Sequence, residues 1–185
     1  MQTQSQNQIP TLITKRLILR PFTLDDAPDV QRLAGAPEIA NTTLLIPHPY
    51  PDGAAEEWIN THAAAFAENK NANFAITLKA TKELIGAIGL TFNQSDNNAE
   101  MGYWVGHPYW NHGYCTEAAR EILRHGFIDR KLKRIHAHHF GSNPASGKVM
   151  LKLGMKYEGT LRKHIRKNDR FEDAVMYGIL QTDFE

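Results

Sequence analysis

Disulfides, a membrane span and a dominant charge are all missing from this chain. Its 185 residues hold a single cysteine, Cys115, so no internal disulfide can form. That sparing use suits a reducing compartment, and the cytoplasm is the expected location. No apolar run approaches the roughly 20 residues that a membrane-crossing helix needs. Lysine and arginine total 21 against 20 acidic residues, a formal net charge of +1. This excludes a broad nucleic-acid or anionic-membrane surface and leaves room only for local basic patches. The opening stretch MQTQSQNQIP has neither the basic end nor the apolar centre of a secretory signal. Polar and rich in glutamine, residues 1–10 are expected to be a disordered tail. No repeat or linker divides the rest, so residues 11–185 are expected to fold as one domain, long enough for a hydrophobic core.

What is present reads as an α+β pattern. TLITKRLILRPF alternates like a strand, and TLDDAPDVQRLAG follows as a helix with an acidic first turn. NTTLLIPHPYPDG carries three prolines and is expected to be irregular. AAEEWINTHAAAFAEN then sets Trp58, Ile59, Ala63 and Phe66 along one helical face. NFAITLK, LIGAIGLTF and AEMGYWVG read as strands of an antiparallel meander joined by tight turns. A helix over 116–127, with Ala118, Ala119, Ile122, Leu123 and Phe127 facing inward, leads to the strand RIHAHHF. A second helix starts at Asn143-Pro144, a good cap and first-turn pair, and two final strands turn at Asn168-Asp169. Strand, helix, strand after a meander implies one parallel crossover in a mixed sheet, equivalently a three-layer α/β arrangement.

The stretch YWNHGYCTEAAREIL, residues 109–123, poses the chemical question. A helix start leaves N–H groups unpaired and carries partial positive charge. Here the helix is entered through Asn111, His112, Gly113, Tyr114, Cys115 and Thr116, with no acid before Glu117. Either a side chain caps those groups or an anion belongs there. An ordinary strand-to-helix turn is the plain alternative.

Three segments together carry a family resemblance: RLILRPF, AEMGYWVGHPYWNHGYCTEA and NPASGKVMLKLGMKYEGTLR. In this order they resemble GNAT-fold acetyltransferases, specifically the RimJ/RimL type that acetylates protein N-terminal amines, over residues 11–181. The resemblance implies a mostly antiparallel sheet with one splayed parallel crossover. It also implies that the loop at residues 111–116 holds the pyrophosphate of acetyl-CoA. Gly113 falls at the first glycine of the family's phosphate pattern, Cys115 at its second small position, and Trp110 where the pattern has Arg or Gln. The preceding strand is expected to carry a bulge and to splay, offering backbone of Gly102 to Val105 to pantetheine. Tyr103, Trp104 and Val105 are therefore candidate cofactor contacts, and an N–H near Trp104 or Val105 would steady charge on the acetyl carbonyl. Asn143 is a further contact, or simply a helix cap.

For the proton transfers, Glu100 is the first candidate base and His138 the reserve; Glu100 as a structural ion-pair partner is the competing reading. The family's usual Tyr falls at Met150, which cannot donate. The RimJ/RimL pattern instead points to Ser146 as donor to the departing thiolate. A covalent step on Cys115 and a metal site at His136 and His138 are the less favoured readings: the family position asks only for a small residue, and no third ligand stands at a motif spacing. The expected activity is direct transfer of acetyl from acetyl-CoA, with no metal, to a primary amine, most simply a protein N-terminus such as that of a ribosomal protein. A polyamine or antibiotic acetyltransferase and a non-catalytic CoA sensor are the alternatives. The NTTLLIPHPYPDG loop and the basic hairpin with Arg162, Lys163, His164, Arg166 and Lys167 are expected to shape the acceptor pocket. A monomer and a homodimer are both compatible with the sequence.

Overall fold

The computed structural model describes residues 8–184. Most of the expected tail, residues 1–7, lies outside the described residues. Ile9 packs against the main core, so the packed chain begins before residue 11.

The strand read at residues 11–22 is two short strands, β1 (Leu12–Ile13) and β2 (Leu17–Arg20), folded back on each other around residues 14–16. Arg20 then donates to the Asp26 carboxylate at 2.7 and 2.8 Å, fixing the path into α1 (Ala27–Ala34). A short α2 (Pro37–Ala40) precedes the proline-rich segment. The helix expected after it is broken at Thr61 into α3 (Ala54–Asn60) and α4 (His62–Ala67). The buried positions there are Ala55, Ile59, His62 and Phe66, while Ala63 faces solvent. The helical period was read correctly, but the inward stripe runs through His62 and not Ala63.

The meander is β3 (Asn71–Leu78), β4 (Leu84–Asn93) and β5 (Asn98–Val105). The crossover is α5 (Tyr114–Arg124) to β6 (Arg134–Phe140). A π turn over His125–Asp129 extends α5 and buries Phe127. Finally come α6 (Pro144–Lys152), β7 (Lys156–Lys167) and β8 (Arg170–Leu180). All eight strands join one sheet in the order β1-β2-β3-β4-β5-β6-β8-β7, with β5 and β6 the parallel pair.

Period-two alternation gives the sheet two apolar faces. On one, Ala99, Met101, Val105, Ile135 and Ala137 pack with Ala118, Ala119, Ile122 and Leu123 of α5 and Met150 of α6. On the other, Ala75, Ala87 and Trp104 pack with Val30 and Leu33 of α1 and Ile59 of α3. Gly147 lets α6 lie close on β6: an added Cβ would sit 2.6 Å from His139 Nε2.

Among helical residues, His62 is the misfit. It is 4% exposed, neither ring nitrogen has a partner, and Phe22 and Trp58 meet its ring edge-on. Burial pushes its pKa down from 6.5 to about 4. Between those values the unfolded chain binds a proton that the folded chain refuses. This contribution to stability is present above about 6.5 and is lost as pH falls towards 4. Denaturant unfolding of wild type and His62→Leu, compared from pH 7 to 4, should show the difference growing in favour of the variant by up to about 1.4 kcal/mol per pH unit. Parallel profiles would show that His62 is not the acid-sensitive group.

Candidate active site

The parallel ladder between β5 and β6 is short. Asn98, Ala99 and Glu100 pair with Arg134, Ile135 and His136, and the pairing stops there. Beyond it β5 continues on β4 as far as Val105, while β6 continues on β8 as far as Phe140. The two strands therefore part, and a gap opens in mid-sheet. The expected bulge is absent: β4 and β5 pair without a register shift from Asn93↔Asn98 to Gly86↔Val105. The splay needs no extra residue because β6 simply follows β8.

Backbone polarity in the gap follows from the ladder. Gly106 N–H donates to Ile85 O at 2.9 Å. Alternation along an antiparallel pair then turns Trp104 N–H towards β4 and leaves Tyr103 and Val105 N–H facing the gap, while Met101 N–H on the same edge belongs to the last rung with His136. Of the two amides expected near the acetyl group, that of Val105 faces the gap and that of Trp104 faces β4. The Val105 carbonyl is already held by the Trp110 indole, Nε1 donating at 2.5 Å. Trp110, standing where the pattern has Arg or Gln, ties the loop to the end of the strand. At Gly102 an added Cβ would meet nothing within 4 Å.

At the far end of β5 lies the loop. Asn111 and Gly113 both take positive φ, 64° and 77°, and α5 begins at Tyr114 with no side-chain cap. Asparagine and glycine are the residues that adopt this conformation most readily. The first N–H groups of α5, on Tyr114, Cys115 and Thr116, point out of the helix start without intrahelical partners. His112 is exposed, its Nδ1 against Trp110 O at 2.7 Å and its ring stacked on Tyr114. Cys115 packs against the main core, and burial pushes its thiol up to about 12, away from the thiolate form.

Glu117 does not spoil this positive site. Its carboxylate accepts from Thr14 Oγ1 at 2.6 Å, Arg16 N at 2.7 Å and Arg16 Nε at 2.7 Å. Arg16 also donates to His112 O at 2.9 Å and lies over the Tyr114 ring. The β1–β2 turn is thereby pinned to the loop. Next to it a cavity of about 530 Å³ is lined by Lys15, Arg120 and Lys152, with Gly113 and Thr116 at its edge. Glu121, also in the wall, is engaged by Arg124 at 2.8 Å. The acids are paired with other groups, whereas Arg120 donates only to a carbonyl, Lys152 O, at 3.1 Å. Sequence reading missed Lys15, Arg16, Arg120 and Lys152, which look like ordinary solvated charges until the fold gathers them.

Glu100 and His138, the two candidate bases, are in contact: His138 Nδ1 lies 2.6 Å from Glu100 Oε1. Burial raises the Glu100 pKa less than its partners lower it; the hydrogen bond from His138 leads, with the charges of His138 and His136 adding to it. An ionised carboxylate only accepts, so the proton between them sits on Nδ1; in the neutral form of the ring, Nε2 then keeps its lone pair. Both side chains line a second cavity, about 400 Å³, with His136, Leu44, Leu161, His164, Ile165, Arg166 and Met176. Leu44 comes from the proline-rich segment and Leu161, His164, Ile165 and Arg166 from β7, so the two segments expected to shape an acceptor pocket meet at this cavity. The basic cluster is partly spent on structure, however. Lys167 turns inward to donate to Ala40 O, Thr43 O and, at 2.9 Å, Ile46 O. The backbone N–H of Lys163 donates to Asp173 at 2.7 Å.

Asn143 precedes α6 without making a side-chain cap bond, so its amide is not spent as a cap. Ser146 lies across the gap from β5, half-buried, and Met150 is buried in the core. Among the described residues no group of three or more His, Cys, Asp or Glu is arranged to hold a metal ion, and no helix is long and apolar enough to cross a membrane.

Comparison with known proteins agrees with this geometry. Residues 16–156 match the acetyltransferase (GNAT) domain family. The chain is 33% identical over 173 residues to the uncharacterized N-acetyltransferase YoaA of Bacillus subtilis, covering 93% of this chain and 97% of that one. It is 31% identical over 98 residues to the ribosomal-protein-serine acetyltransferase of Escherichia coli, covering 51% and 54%. A solved GNAT-family acetyltransferase from Bacillus anthracis superposes with a TM-score of 0.83 at 26% identity, over 94% of this chain and 99% of that one.

The Glu100–His138 contact makes a direct prediction. Imidazole nitrogen resonances at neutral pH should show His138 protonated on Nδ1, and Glu100→Ala should shift the balance towards Nε2–H. Unchanged resonances would mean that the carboxylate does not set the tautomer.

Proposed function

The chain belongs to the GNAT acetyltransferase family, enzymes that transfer acetyl to an amine, and we propose that this one uses acetyl-CoA to acetylate the α-amine of a protein or peptide N-terminus. The residues fit the donor. An uncapped eleven-residue helix start with Gly113 before it, and Lys15, Arg120 and Lys152 beside it, suit a pyrophosphate. The unpaired edge of β5 beyond Glu100 suits an extended chain laid along it. Bound there, acetyl-CoA supplies an activated acetyl thioester.

The residues of the chain would do the rest. Val105 N–H faces the gap and is available to the charge that builds on the acetyl carbonyl. His138 Nε2 accepts the amine proton, with Glu100 holding the other ring nitrogen and stabilising the imidazolium that forms. A carboxylate held below its ordinary pKa is a weak base, whereas imidazole as a class titrates nearest neutral pH. The two candidate bases thus work as one unit, His138 taking the proton and Glu100 positioning it. Ser146 stands on the opposite face, where the thiolate departs, and Asn143 beside it keeps a free amide for the pantetheine. Asn111, His112, Gly113, Tyr114, Cys115 and Thr116 enclose the phosphates through backbone.

The observation that carries the acceptor class is the second cavity. Its single carboxylate, Glu100, is already paired, and Arg166 and three histidines share the wall. A polyamine would need several free carboxylates there. An N-terminus brings one amine and an apolar or polar chain that Leu44, Leu161, Ile165 and Met176 can flank. An α-amine, near pKa ~8 against ~10.4 for lysine, also asks less of the base. The likeness to the ribosomal-protein-serine enzyme supports the same reading.

Calorimetry should give micromolar acetyl-CoA binding for wild type and at least a tenfold loss for Gly113→Asp, which adds strain and negative charge at the phosphates. Peptides with free N-termini should be acetylated in preference to spermidine. Preference for spermidine would overturn the acceptor assignment; no acetyl-CoA binding by folded wild type would overturn the whole reading.

A further inference from the structure

One hydroxyl pair crosses the gap. The Tyr103 hydroxyl lies 2.8 Å from Ser146 Oγ and 3.2 Å from Ser146 O. Tyr103 stands three residues beyond the last β5–β6 pair, on the face that carries α5 and α6. Ser146 is in the first turn of α6, which β6 leads into. Phenol and serine are thus presented to each other from the two walls of the opening.

A phenol has one hydrogen, and two acceptors stand before it: Ser146 Oγ at 2.8 Å and Ser146 O at 3.2 Å, the latter also serving the N–H four residues on in α6. The contact at 2.8 Å can run either way, and in the arrangement that leaves the serine hydrogen unspent Tyr103 O–H donates to Ser146 Oγ. Among the described residues no other side chain or carbonyl is bonded to Ser146 Oγ, so in that arrangement the serine hydrogen can turn into the gap. Burial pushes the Tyr103 phenol above its ordinary pKa, which keeps it protonated and a constant donor. Met150, at the position that carries the family's usual tyrosine, is buried and has nothing to donate.

We infer that Tyr103 is a positioning residue for Ser146: its hydroxyl fixes Ser146 Oγ and directs the serine hydrogen at the sulfur of the departing CoA thiolate. The inference rests on the gap being the acetyl-CoA site. The bookkeeping closes without either hydroxyl losing its proton. The C–S bond breaks with its electrons to sulfur, the C–N bond forms, and the amine proton goes to His138. The thiolate leaves as a hydrogen-bonded anion and takes its proton from water. A polarised chain, phenol to serine to sulfur, stabilises that anion more than serine alone.

The test reads the thiolate itself. CoA bound to wild type should titrate, by the ultraviolet absorbance of its thiolate, about one pH unit lower than CoA bound to Tyr103→Phe, because a hydrogen bond to the charged form favours it. Ser146→Ala should shift the titration equally, and the double variant should add little. For an N-terminal peptide, Tyr103→Phe should lower kcat about tenfold with KM for acetyl-CoA little changed. If the phenylalanine variant fails to fold, 3-fluorotyrosine at position 103 preserves shape and should move the thiol titration lower still. Binding of CoA with the same thiol titration in wild type, Tyr103→Phe and the fluorinated protein would overturn the role of Tyr103 while leaving the acetyltransferase reading intact. Failure of wild type to bind CoA would instead remove the premise.

Discussion

The rest of the site depends on where two strands stop pairing. After Glu100 and His136 the backbone of β5 keeps its bonds to β4, and that of β6 keeps its bonds to β8. Strand pairing is the normal way to satisfy buried backbone N–H and C=O groups. Leaving them unpaired in mid-sheet is costly unless a ligand takes their place. The fold bears that cost because both strands are secured on their outer edges and by apolar side chains on both faces. The absence of a register shift in β4–β5 matters here. The gap arises from divergence of two well-paired halves, so its walls are stiff.

A sheet opened in this way also works as a partition. Residues alternate across it, so Glu100, His136 and His138 fall on one face and Tyr103 on the other. Base and thiolate partner can then reach one reacting carbonyl from opposite sides without meeting each other. The helices supply the remaining asymmetry. On one side α5 and α6, with Lys15 of the β1–β2 turn, gather open N–H groups, Arg120 and Lys152 where the proposed cofactor phosphates would lie. On the other side the proline-rich segment, held by Lys167, and the bulged β7 bound the cavity proposed for the acceptor. The β7 irregularity between Leu161 and Ile165 brings His164 to the cavity wall.

Much of this was legible in the sequence because it is local. The meander, the α5 crossover with its apolar face, the Gly113 helix entry and the final hairpin all follow from period, turn chemistry and spacing. What escaped was long-range. Arg16 and Glu117 are 101 positions apart, and nothing in either neighbourhood announces that they meet. Glu100 and His138 were each singled out, yet only strand register shows that they form one unit. Tyr103 was noted for its backbone, whereas its side chain proves to face Ser146. The break at Thr61 and the split of β1 from β2 were invisible for a related reason. Tertiary packing sets the boundaries of short elements, and the apolar period runs through the break unchanged.

The central claim is that the β5 edge and the α5 entry together receive one extended ligand. Backbone amide resonances followed during titration with acetyl-CoA test it most directly. The account predicts large shifts at Tyr103 and Val105 and from Asn111 to Thr116, with β3 and the outer face of β8 nearly silent. Shifts confined to the loop, with the β5 amides unmoved, would contradict it.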